Sequence, residues 1–194
     1  METGMSIEEL RALATNLRKE GLNTQQIADE LSLSQDTIAW LLAGSSDEKP
    51  KDIQIGWRTI GVRPSRIAAI GHIMADVATE ECGDKLDTVV GISINGILFA
   101  NEVASQLDCD VAIHRNVDGG AGHGSLSNKY GQVSGKRVMI VDDVLSTGVT
   151  IKRTIESMRE AGAEVALCVV LVNKTGRNEI EGVPLRGIIR AAVV

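Results

Sequence analysis

Two adjacent carboxylates, Asp142 and Asp143, stand at the end of an apolar run in VMIVDDVLSTGVT, residues 138–150, and a short loop of Ser, Thr and Gly follows them. At the C-terminal edge of a parallel strand, such a pair can hydrogen-bond a ribose diol and help to hold magnesium. The loop Leu145, Ser146, Thr147, Gly148, Val149, Thr150 offers successive backbone N–H groups and three hydroxyls. Placed at the positive end of the next helix, it makes a cradle for a monophosphate. The plain alternative is a strand ending in two solvated aspartates. Other phosphate motifs fail on spacing. GGAGHG at 119–124 misses the GxGxxG offsets, and GQVSGKR falls one residue short of a Walker A and lacks its Ser/Thr.

The elements that must position these residues alternate along the chain. RPSRIAAIGHIMADVATEE has Pro64 near its start and apolar residues at helical spacing. TVVGISI, VAIHR, KRVMIVDDV and VALCVVLVN read as buried strands, GILFANEVASQL and TIKRTIESMREAG as helices, and VPLRGIIRAAVV as a last strand. This alternation predicts an α/β fold with a parallel sheet covered by helices on both faces.

Ahead of it lie three short helices. Ser6 and Glu9 have capping-box spacing and Gly21 follows the first helix; Thr24 is expected to cap TQQIADEL, and Ser34 to cap SQDTIAWLLAG before Gly44. The predicted organisation is a helical domain over 1–44, a polar linker over 45–54 and the α/β domain over 55–194. Ile27, Ala28, Leu31, Leu33, Ile38 and Leu41 fall where two helices joined by a tight turn share a core, with Trp40 also assigned to it. A helix-turn-helix of this kind would offer Ser34, Gln35, Asp36 and Thr37 to a major groove, with Thr24 and Gln25 near a phosphate. A helical cap, or a dimer contact that touches no DNA, is the competing reading.

Charge bears on that choice. The net charge is −6, and residues 1–44 hold seven acids against three bases, awkward for a DNA-reading module. From Lys49 to Arg66 the sign reverses, with five bases against Asp52 alone, so phosphate contacts are expected from there. Cys82, Cys109 and Cys168 are far apart and without metal-ligand spacing, which fits a reducing cytoplasm. No apolar stretch is long enough for a membrane span, and the first twenty residues do not read as a signal peptide.

From about Ile55 onward the chain resembles the type I phosphoribosyltransferases, whose phosphoribosyl-pyrophosphate signature is a hydrophobic strand, two acids and a threonine-glycine loop. The resemblance makes Ser93, Ile94, Asn95 and Gly96, in VGISINGILFA, the pyrophosphate loop, where Gly96 would let the backbone approach the ligand. It implies magnesium at Asp142 and Asp143 when the ligand carries pyrophosphate. The similar orotate enzymes use a mobile loop rich in Lys and Arg to neutralise the departing phosphates. Here HRNVDGGAGHGSLSNKYGQVSGK keeps Arg115 but has no lysine before Lys129, with His123 a weak substitute, mostly neutral near pH 7.

Joined to the helical domain, the whole resembles the archaeal orotate phosphoribosyltransferase-like transcriptional regulators, in Trp40 with its two aliphatic followers and in the turn EIEGVP. Bacterial purine repressors of similar architecture are a second precedent. The resemblance implies a homodimer on a palindromic promoter site, control of sugar catabolism, and a phosphorylated sugar or nucleotide as effector. An active phosphoribosyltransferase for orotate or a purine base stays open beside the regulator.

Overall fold

A computed structural model describes residues 5–44, 50–83, 85–115, 125–127 and 130–191. The chain divides into a helical unit that ends at Trp57 and an α/β unit, Arg58–Ala191.

In the helical unit, α1 (Ile7–Lys19), α2 (Thr24–Leu31) and α3 (Gln35–Ala43) enclose a small core containing Leu10, Ala14, Ile27, Leu31, Ile38 and Leu41. The expected capping box closes α1: Ser6 Oγ accepts from Glu9 N at 3.2 Å, and Glu9 Oε2 from Ser6 N at 2.7 Å. The cap of α2 corrects the sequence reading. It is Asn23, not Thr24, whose Oδ1 accepts from Gln26 N while Gln26 Oε1 accepts from Asn23 N. Thr24 is the first helical residue, and its hydroxyl takes a bond from Arg18 Nη2. Ser34 caps α3 as expected. Trp40 packs partly buried against this core, with the Arg11 guanidinium 5.5 Å from its ring centroid.

The α/β unit adds α4 (Arg58–Gly61), α5 (Pro64–Cys82), α6 (Gly96–Leu107) and α7 (Val149–Glu160) to β1 (Thr88–Ile92), β2 (Asp110–Arg115), β3 (Ser125–Leu126), β4 (Arg137–Leu145), β5 (Glu164–Asn173), β6 (Glu179–Ile180) and β7 (Val183–Arg190). The sheet order is β3-β2-β1-β4-β5-β7-β6. β2, β1, β4, β5 and β7 run parallel, and the two-residue β3 and β6 pair antiparallel at the edges. The α7 side chains Ile151, Ile155 and Met158 cover one face, on Val90, Ile140 and Cys168. On the other, α6 sits directly on β1, and α5 packs on α6 and β5. Glu181 and Gly182 have φ of 51° and 76°, as a tight hairpin turn requires. The β6–β7 hairpin they make is tied to α7 by Lys152 on Glu181 at 2.7 Å and Arg159 on the Glu181 carbonyl at 2.9 Å.

Candidate functional site

β4 carries the acidic pair beyond its neighbour. Pairing with β1 stops at Gly91↔Val141, whereas pairing with β5 runs on through Asp142↔Val170 to Leu145↔Asn173. Asp142 and Asp143 are therefore still strand residues, held by β5 on one side and facing the β1–α6 turn on the other. In that turn, where the Ser93–Ile94 peptide bond is cis, Asn95 Nδ2 donates to Asp143 Oδ2 at 3.0 Å. Ile94 is 81% exposed. The two stretches singled out in the sequence, 48 residues apart, are thus brought together.

Gly96 packs closely on β4. A Cβ at this position would lie 2.5 Å from Val141 O and 3.1 Å from Asp142 Oδ1, so its missing side chain lets the start of α6 lie against β4. The close contact sets the spacing between Asn95 and the acids. Asp143 is 7% exposed, and that burial pushes its carboxyl above the usual carboxylate range, opposed by bonds from Val144 N–H, Asp142 and Asn95. A cation or a diol at this edge would favour the ionised form. Among the described residues no group of three or more His, Cys, Asp or Glu makes an all-protein metal cage. Magnesium, however, usually takes only one or two carboxylates from protein and completes its shell with phosphate oxygens and water, so Asp142 and Asp143 could hold it with a pyrophosphate-bearing ligand.

Leu145 ends the strand buried, and Ser146, Thr147 and Gly148 turn the chain into α7. Gly148 takes φ of 86°, open to glycine, and leaves the first N–H groups of α7 unpaired within the helix. Val149 N donates to Thr147 Oγ1 at 3.4 Å; Thr147 and Val149 are exposed, Ser146 and Thr150 half-buried. A helix N-terminus of this kind, with N–H groups unpaired inside the helix, is one at which an anion can bind.

A residue missed in the sequence stands beside it. Arg177 Nη1 donates to Thr147 O at 3.3 Å, and it is also 3.3 Å from where a Gly148 Cβ would be. Buried Asn173 builds the loop that carries it, Nδ2 donating to Arg177 O and Oδ1 accepting from Thr175 N and Oγ1. Lys174 N donates to Leu145 O, so the loops after β4 and β5 run side by side.

Behind the β1–α6 turn lies His114, fully buried at the end of β2, whose carbonyl accepts from Ser93 N at 2.9 Å. Its Nδ1 is 3.2 Å from Thr154 Oγ1, and Nε2 has no partner. Burial pulls its pKa down to about 4. Arg115 is exposed at the edge of the sheet. His123 and Lys129, with most of the proposed mobile loop, lie outside the described residues.

The candidate DNA-reading residues divide. Asp36 is exposed, and Gln25 and Gln35 are half-buried, the Gln35 amide nitrogen bonded to Gln25 Oε1 while Gln25 Nε2 donates to Asp29 Oδ1 at 2.7 Å. Thr37 corrects the expectation of a groove-facing side chain: it is 3% exposed, and its hydroxyl donates to Asp52 Oδ2 at 2.8 Å. The same carboxylate oxygen accepts from Ser34 N at 2.7 Å. The one acid in the basic stretch thus lies against the positive end of α3.

Comparison with known proteins agrees with this geometry. The phosphoribosyl transferase domain family matches residues 56–191. Over 194 aligned residues the chain is 39% identical to a protein of Thermoplasma acidophilum named transcriptional regulator GfcR, covering 97% of this chain and 98% of that one. The chain belongs to the GfcR family of transcriptional regulators. A Methanosarcina barkeri relative, GfcR 2, is 41% identical over 95% of this chain and 96% of its own. Among solved structures, orotate phosphoribosyltransferase from Aeropyrum pernix superposes with a TM-score of 0.62 at 24% identity, over 75% of this chain and 82% of that one. Adenine phosphoribosyltransferase from Thermoanaerobacter pseudethanolicus gives 0.60 at 19%, over 74% and 91%. These likenesses establish the type I phosphoribosyltransferase fold in this GfcR family member. No helix among its described residues is long and apolar enough to cross a membrane.

Proposed function

We propose that this chain binds promoter DNA through α2 and α3, read as a helix-turn-helix, and senses a phosphorylated sugar or nucleotide at the loop of residues 145–150. The observation that carries the reading is the meeting of the acidic pair, Asn95 and the amide-lined loop at one sheet edge, in a chain whose relatives bear the name of transcriptional regulators along their full length. The loop amides and the hydroxyls of Ser146, Thr147 and Thr150 hold the phosphate. Arg177 turns from Thr147 O to meet its charge. Asp142 and Asp143 take the ribose diol and, with a pyrophosphate-bearing ligand, would hold a magnesium that neutralises the phosphates. The DNA partner is a palindromic promoter site read by a homodimer, and the genes served are those of sugar catabolism. To switch it, the ligand must prefer one DNA-binding state by about 1–3 kcal/mol.

Fluorescence anisotropy with DNA from the protein's own promoter and neighbouring operons, at fixed salt, tests this with and without phosphoribosyl pyrophosphate and common sugar phosphates. The expected result is specific binding that one ligand shifts, and loss of the shift in Asp142→Asn/Asp143→Asn. An unchanged response in that double variant removes the assigned effector site.

The acid pair and its loop serve a phosphoribosyltransferase equally well, which keeps a second reading in view. Incubation with phosphoribosyl pyrophosphate, magnesium and orotate or a purine base separates the two. Turnover without specific DNA binding would assign an enzyme.

A further inference from the structure

We propose that Gln35 reads an adenine in the major groove, and that Gln25 and Asp29 are positioning residues that fix its amide for that base. This rests on the DNA-binding function proposed above. Asp29, as an ionised carboxylate, can only accept hydrogen bonds. The Gln25 atom 2.7 Å from Asp29 Oδ1 is therefore its amide nitrogen, and the other end of that amide, Oε1, is turned to Gln35. An oxygen there must receive a donor, so Gln35 presents Nε2 to it. Glutamine oxygen and nitrogen are alike in shape, and here the chain of partners decides which is which.

Gln35 Nε2 carries two hydrogens. One is engaged by Gln25. In the proposed arrangement that is the hydrogen anti to Oε1, and the second, on the same side of the amide as Oε1, makes with it a donor–acceptor pair. Adenine offers the complement in the major groove, N7 as acceptor and the N6 amino group as donor. Guanine offers two acceptors, N7 and O6, and would set O6 against Oε1. Turning the amide over to suit another base would bring Gln35 Oε1 against Gln25 Oε1, two acceptors face to face. Gln35 is also the first residue of α3, beside exposed Asp36, where a recognition helix meets base edges. Half-buried and bonded, it has already lost much of its rotamer freedom before DNA arrives.

The test uses the full chain. Selection from a random duplex pool should enrich a motif containing an A·T pair whose preference depends on Gln35. In that site, 7-deazaadenine, which lacks N7, or purine, which lacks the amino group, should weaken wild-type binding by about 5- to 150-fold and Gln35→Ala binding no further. Gln25→Ala and Asp29→Asn should relax the preference at that base pair alone, with other positions and the melting temperature unmoved. An enriched motif whose base preferences all survive Gln35→Ala, or change at a G·C pair, overturns this inference and leaves DNA binding standing. No enrichment by folded wild-type protein overturns both.

Discussion

Replacing His114 by Phe should flatten the acid side of the stability curve. Thr154 has one hydroxyl hydrogen, and Thr150 O at 2.9 Å receives it. The imidazole therefore donates Nδ1–H to Thr154 Oγ1, and Nε2 is left as a buried acceptor. A second proton would have to go on Nε2, charged and without a partner, which is why the pKa falls to about 4 from an ordinary 6.5. The sign follows from that depression. Between pH 6.5 and 4 the unfolded chain binds a proton that the folded chain refuses, so stability is lost as pH falls through the window. At about 1.4 kcal/mol per pH unit the full effect is about 3 kcal/mol. Urea unfolding of wild type and His114→Phe at intervals from pH 7.5 to 4 measures it as a difference, from which carboxylate titrations common to both cancel. The expected difference shifts in favour of the variant on acidification. Parallel curves, or a His114 imidazole that titrates near 6.5 by NMR, would refute the burial argument.

Four further outcomes follow from the geometry. Gly96→Ala drives a methyl against Val141 O and should cost about 1–3 kcal/mol in urea unfolding, with weaker phosphoribosyl-pyrophosphate binding by calorimetry as Asn95 leaves Asp143. Arg177→Ala should weaken sugar phosphates about 10- to 100-fold while leaving any affinity for the unphosphorylated sugars unchanged, and Arg177→Lys should restore part of the loss. Asp143→Asn removes a carboxyl whose pKa burial has raised, so its charged form opposes folding as pH rises above the unfolded value; the variant should melt higher at pH 7 and gain nothing below pH 4, with the ligand response gone. Asp52→Ala deletes the acceptor for Ser34 N and Thr37 Oγ1 and should destabilise the helical unit by about 1.5–3 kcal/mol, read by Trp40 fluorescence.

Much of this was legible because its causes are local. The apolar strand runs, the helices between them and the Ser6–Glu9 box are set within a few residues, and the structure returns them nearly at the expected bounds. Asn23 for Thr24 is a near miss between two residues of capping type; the Gln26 three positions after Asn23 was the available signal. β3 and β6, two residues each, are too short for any period to show. Thr37 and Arg177 were illegible for another reason. Their roles depend on partners 15 and 30 residues away, brought close by the chain's path rather than by its pattern. For Arg177 the parallel topology held a clue, since loops after neighbouring strands must emerge at one edge.

The Asp52 contact has a mechanical meaning. The chain leaving the helical unit is fastened, by one carboxylate with three hydrogen bonds, to the backbone and hydroxyl at the head of α3 and to its own next amide. Only Ile53 to Trp57 separate that fastening from the end of the helical unit. The head of α3, where Gln35 stands, is thus anchored through both its backbone and a side chain by a residue well beyond the helix, and its orientation is fixed by more than its own cap.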